Sequence, residues 1–89
     1  MTTRITHVAN KLGLHARPSA QLVSVTSKFE SEVFITREDL RINAKSIMGV
    51  MMLAAEKGSE LLIEAQGPDE EAAVEAVVQL IQSGFGEEI

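Results

Sequence analysis

Apolar and polar positions along the chain alternate in ways that mark out seven elements. From Thr3 to Val8, Ile5 and Val8 stand among polar β-formers, the signature of a short half-buried strand. Asn10–Leu14 reads as a loop. From His15 onward, Ala16, Ala20 and Val23, and beside them Leu22, Val25 and Phe29, recur at helical spacing, which predicts a helix over about 16–27. Val33-Phe34-Ile35 within Ser31–Thr36 is an apolar run of strand length. Arg37-Glu38-Asp39 is a polar turn, and Leu40-Arg41-Ile42-Asn43 alternates as the partner strand of a hairpin. A short helix is expected from Ser46 to about Leu53, with Ser46 as its N-cap and Glu56-Lys57-Gly58-Ser59 as the turn that leaves it.

Glu60–Gln66 alternates again, with Leu61, Ile63 and Ala65 on one face. Gly67-Pro68-Asp69 breaks the chain, and acid at Asp69-Glu70-Glu71 suits a helix start, where the dipole favours negative charge. Val74, Val77, Val78 and Ile81 form the inner stripe of a last helix, widened by Ala73 and Leu80 and stopped by Ser83-Gly84. The order β-α-β-β-α-β-α predicts an α+β, two-layer sandwich with helices covering one face of a sheet. The crossing from the first strand through the first helix to the second should be right-handed if those strands lie parallel in one sheet.

Composition narrows the class. Eighty-nine residues are expected to form a single domain, 1–89, with no linker, repeat or low-complexity tract. Cysteine is absent, so packing alone must hold the fold, without disulfides or a thiolate metal site. Thirteen acidic against eight basic residues leave a net charge of −5, which argues against binding a nucleic-acid backbone. Without Tyr or Trp, only three Phe remain as stacking platforms. No apolar run has the length of a membrane span, and the first residues lack the apolar core of a signal peptide. A soluble, cytoplasmic protein is the simplest expectation.

The candidate chemistry lies in Leu12-Gly13-Leu14-His15-Ala16-Arg17-Pro18-Ser19. Pro18 fits only the first turn of a helix, which puts His15 at or near the N-cap, while Gly13 lets the loop before it turn tightly. The open amides of a helix start form an anion site. They and Arg17 disfavour an imidazolium, so they favour the neutral, nucleophilic ring. Arg17 can also grip a phosphoryl group through two oxygens. A histidine here is thus placed to be phosphorylated, with the helix end and Arg17 stabilising the dianionic adduct. The plainer alternative is a polar cap beside a solvated arginine. His7 reads as a surface or rim histidine, Ser19 and Ser24 lack a base at recognisable spacing, and neither a metal-ligand set nor a nucleotide-binding loop is present.

Lys45–Ala55 carries three of the four methionines. A short helix of that composition cannot bury every side chain against one sheet, so part of Ile47, Met48 and Met51 should stay at the surface as a docking patch, although a Met stripe is more often core. Ser46 is a natural N-cap. Phosphorylated, it would add charge beside the patch without unfolding the helix, and so repel an acidic partner or spoil apolar docking.

Gly13-Leu14-His15-Ala16-Arg17-Pro18, Lys45-Ser46-Ile47-Met48-Gly49-Val50 and Glu56-Lys57-Gly58 together resemble the HPr family, the histidine-containing phosphocarriers of the bacterial phosphoenolpyruvate-dependent phosphotransferase system. The likeness covers essentially the whole chain. It implies an open-faced sandwich with an antiparallel four-stranded sheet of order 1-4-2-3 beneath three helices. It implies that His15 takes a phosphoryl group on Nδ1 from phosphorylated Enzyme I and passes it to a histidine of an Enzyme IIA-type acceptor, with Arg17 as the phosphate-stabilising partner. Ala20, Ile47, Met48 and Met51 match the partner-docking surface, and Ser46 matches the serine modified by the regulatory HPr kinase/phosphorylase.

On this reading the chain is a carrier without turnover of its own, works without a cofactor, acts as a monomer and meets its partners through small, short-lived interfaces. Leu12 and the ending Gln82-Ser83-Gly84-Phe85 look more like the nitrogen-related branch, NPr, whereas the Ser46 segment reads like ordinary HPr. Relatives that have lost the active histidine serve only as regulatory binding modules, which is the alternative role; a structural adaptor would leave the Gly13–Pro18 arrangement without a purpose.

Overall fold

The computed structural model describes all 89 residues. Strand β1 (Thr2–His7) pairs antiparallel with β4 (Glu60–Gln66), β4 pairs with β2 (Glu32–Arg37), and β2 pairs with β3 (Leu40–Asn43). The sheet order is β1-β4-β2-β3 with every neighbouring pair antiparallel, so β1 and β2 run parallel to each other on either side of β4. Helices α1 (Ala16–Thr26), α2 (Ile47–Met52) and α3 (Glu70–Gln82) complete the two layers. None of them is long and apolar enough to cross a membrane.

Alternation along the strands sets which face is covered. Val33 and Ile35 on β2, Ile42 on β3, and Leu61, Ile63 and Ala65 on β4 are buried. They meet the inner stripe of α3, formed by Ala73, Val74, Val77, Val78 and Ile81. Leu22 of α1 and Val50 of α2 close the same core. On the open face Arg41 lies 4.0 Å from the Phe34 ring centroid and bonds Glu64 at 3.2 Å, a cation–π contact that shields an otherwise wet aromatic.

Two inward faces differ from the pattern expected of them. In β1 the buried residue is Thr6, while Ile5 points to the open face beside Leu62. The pleat fixes this: Thr2, Arg4 and Thr6 share the helix side, where Thr2 bonds Glu70 and Arg4 pairs with Glu75. In α1 the inner stripe is Pro18, Ser19, Leu22 and Thr26 rather than the alanine and valine rows. Its two buried hydroxyls are satisfied by carbonyls. Ser19 donates to His15 and Leu14, and Thr26 donates to Val23 and, across to the next layer, to Ala44 at 2.8 Å.

Asp69 stands at the N-cap of α3 but makes no side-chain bond to that helix. Its carboxylate instead accepts the backbone N–H groups of Glu30 and Ser31 and the Ser31 hydroxyl, tying the α1–β2 loop to the turn after β4. Beyond α3 the chain does not simply stop at Ser83-Gly84. A tight turn at Gly84–Gly86 buries Phe85 in the core and sends the following residues back across the loop before α1.

Candidate phosphoryl-acceptor site

The loop Val8–Leu14 is held at both ends. Val8 donates to Ser59 and accepts from Gly58, while Leu14 donates to Ala55 at 3.0 Å. Between them Asn10 is fully buried, and its Nδ2 donates to the carbonyl of Gly13 at 2.8 Å. Its Oδ1 is buried without a partner, a cost accepted because the amide nitrogen serves two acceptors at once. The loop therefore delivers His15 to the head of α1 in one geometry.

His15 is the N-cap residue of α1, with extended backbone angles, as its spacing from Pro18 predicts. Its ring makes no capping bond to the helix. The main chain beneath the ring is fixed instead, because the His15 carbonyl accepts both the amide and the hydroxyl of Ser19. Ala16 and Arg17 are the first two helical residues, whose N–H groups have no intrahelical acceptor, and Pro18 has no N–H to compete. The side chain of His15 is 39% exposed, a ring on a rim rather than in a deep pocket. Arg17 is exposed and lines the same shallow depression of about 440 Å³, together with Lys11, Leu12, His15, Glu87 and Glu88.

Glu87 is the residue that sequence reasoning missed. Its Oε1 lies 3.0 Å from Nε2 of His15 and accepts Nδ2 of Asn10 at 3.2 Å. The His15 hydrogen bond, opposed by partial desolvation and aided by Asn10 and the Arg17 charge, holds the Glu87 carboxyl below its ordinary value. Adjacent backbone fixes the segment further, since the Lys11 amide donates to the Glu88 carbonyl at 2.7 Å. No local pattern announces a contact between residues 72 positions apart. The nearest sequence signal was Phe85, too apolar to be left in a solvated tail.

The remaining predicted residues separate into two further places. Ser46 caps α2, its hydroxyl accepting the Gly49 amide at 3.0 Å. Ile47, Met48 and Met51 are all exposed, Met48 at 75%, and Met52 joins them. Ala20 is exposed on α1, which packs beside α2. Val50 is the one buried side chain of α2, so the short helix keeps a single anchor in the core and leaves its methionines outside. His7 is exposed at the sheet rim, 3.7 Å from Glu60, and lies outside this constellation.

Residues 2–83 match the family described as "PTS HPr component phosphorylation site". The chain is 48% identical to the phosphocarrier protein HPr of Treponema pallidum over 88 residues, covering 99% of this chain and all of that protein. It is 39% identical to the phosphocarrier protein NPr of Escherichia coli over 90 residues, covering 99% and 100%. A crystal structure of HPr from Thermoanaerobacter tengcongensis superposes with a TM-score of 0.95 at 45% identity, over the full length of both chains.

Proposed function

The chain belongs to the HPr family of phosphocarrier components of the phosphotransferase system, and from that premise we propose that His15 accepts a phosphoryl group on Nδ1 from phosphorylated Enzyme I and passes it to a histidine of an Enzyme IIA-type acceptor. The observation that carries this reading is the half-exposed ring of His15 at the N-cap of α1, bonded to none of that helix's amides. Those amides and the guanidinium of Arg17 are then left for phosphoryl oxygens. The rim position suits a carrier, because two histidines must come into line across an interface.

Docking would use Ala20, Ile47, Met48 and Met51, an exposed apolar patch whose flexible thioethers adapt to more than one partner. A phosphoryl group on Ser46 would place about −1.5 to −2 charge beside Met48 while remaining at a helix start, so it would act on docking and not on the fold. The test is incubation with phosphoenolpyruvate and Enzyme I. Wild-type protein should gain an acid-labile phosphate and deliver it to an Enzyme IIA acceptor, and His15→Ala should gain none. A variant labelled as fully as wild type would refute the site, and labelling without onward transfer would favour the regulatory binding module. Acceptors of the sugar and nitrogen branches, assayed side by side, would assign the branch.

A further inference from the structure

The Glu87 contact bears on which nitrogen of His15 reacts, a question that deepens the carrier reading and rests on it. An imidazole Nε2 that lies 3.0 Å from a carboxylate oxygen must carry the proton, since the other tautomer would set two lone pairs against each other. In the neutral ring the lone pair is then on Nδ1, the nitrogen that makes no bond to the helix. The carboxylate is itself aimed. Asn10, buried and fixed by Gly13, holds the same oxygen, and the Lys11–Glu88 backbone bond fixes the segment that carries it. Phe85 holds a left-handed backbone at φ +57° while buried in the core, a strained conformation that burial of its ring must offset. Phe85, Glu87 and Glu88 lie beyond the 2–83 span that matches the family.

We propose that Glu87 is a positioning residue for phosphoryl transfer: it accepts the Nε2 proton of His15, presents Nδ1 as the nucleophile and steadies the phosphorylated ring. In the forward step the Nδ1 lone pair forms the N–P bond while the donor's N–P bond breaks and its electron pair returns to the donor ring. Nε2 keeps its proton, so the phosphorylated ring is a cation facing Glu87, and this chain exchanges no proton with solvent. Onward transfer reverses the sequence and releases a neutral imidazole. The carboxylate sits at the far edge of the ring from the incoming phosphoryl group, so its attraction for the cation acts at hydrogen-bond range and its repulsion of phosphate only across the ring.

The test pairs ring NMR with chemical phosphorylation by phosphoramidate, a small-molecule donor that needs no protein partner. Wild type should show an Nε2–H proton of His15 protected from solvent exchange. Glu87→Ala should lose that resonance and take phosphate about tenfold more slowly with an unchanged unfolding curve. Glu87→Gln, which keeps an acceptor without the charge, should retain the resonance and fall between the two in rate. Equal or faster phosphorylation of Glu87→Ala, or an unchanged resonance in that variant, would overturn the proposal alone. Failure of wild type to take phosphate on His15, from phosphoramidate or from Enzyme I, would overturn the carrier reading and this proposal with it.

Discussion

Gly13 is a tight joint between the loop that carries His15 and the rest of the molecule. Its φ is +72°, and a Cβ built there would stand 2.3 Å from the carbonyl oxygen of Ala55 and 3.1 Å from the Cα of Glu56. Both are backbone atoms, so no side chain can swing aside. Restoring an ordinary contact needs a shift of about 1 Å. The Ala55 oxygen is also the acceptor of the Leu14 amide at 3.0 Å, and a movement of that size strains or breaks the bond.

Three terms set the magnitude for Gly13→Ala. A left-handed alanine costs about 1–2 kcal/mol. Loss of a buried backbone bond adds about 1–3 kcal/mol. Reduced freedom of the unfolded chain returns about 0.4–1 kcal/mol. The net spans roughly 1–5 kcal/mol and centres on about 3 kcal/mol, and that central value lowers the melting temperature of a domain this size by roughly 12–24 °C. Gly58→Ala is the matched control. Its φ is +89° but nothing lies within 4 Å of the added Cβ, so only the conformational term applies, about 0–1.6 kcal/mol after the unfolded-state gain. Urea and thermal unfolding of both variants would decide. A Gly13→Ala loss no larger than that of Gly58→Ala would refute the clash argument, and transfer through His15 at the wild-type rate would refute the claim that this joint orients the ring.

Ser46→Ala removes the only side-chain cap of α2 and should cost about 1 kcal/mol, or about 4–8 °C in Tm, whereas Ser46→Asp, which can still accept the Gly49 amide, should lose less than half as much by calorimetry. Asp69 is held below its ordinary value of 3.8, chiefly by the Ser31 hydroxyl and then by the Glu30 amide. The native state therefore favours the ionised form, and the stabilisation is complete above the ordinary aspartate range and lost as pH falls through the lower folded value. Asp69→Asn should accordingly be weaker than wild type at neutral pH and converge with it in acid, read from urea midpoints across pH. Met48→Glu alters an exposed position, so its unfolding midpoint should stay within about 0.5 kcal/mol of wild type while the phosphorylation rate from Enzyme I falls about tenfold or more.

What the sequence made legible follows from the range of each interaction. The hairpin, β4 and α3 rest on local periodicity, and their buried residues are the ones that alternation or helical spacing singles out. His15 was placed at a helix start by a proline three residues away, a purely local argument. Ser19 and Thr26 occupy the inner stripe of α1 because their hydroxyls find backbone carbonyls there, and a hydropathy pattern assigns them to the outside. In β1 the buried side is set by pairing with β4, whose register sends Thr6 inward beside Leu61 and Ile5 outward beside Leu62.

Glu87 marks the far end of that scale. A carboxylate near the end of a chain with net charge −5 looks like one more solvated acid. Its role depends on Phe85 being buried, on Asn10 having a second acceptor to satisfy, and on the loop–tail backbone bond at Lys11, none of which is local. The same distance separates two kinds of dependence at one ring. The proposed anion-binding half of the site (the amides at the head of α1 and Arg17) is built within a few residues of His15 and so does not draw on the tail. The proton-holding half rests on the tail's Glu87 carboxylate, which Asn10 aims. Variants beyond Ser83 should therefore alter how readily Nδ1 reacts while leaving intact the place where the phosphoryl oxygens rest.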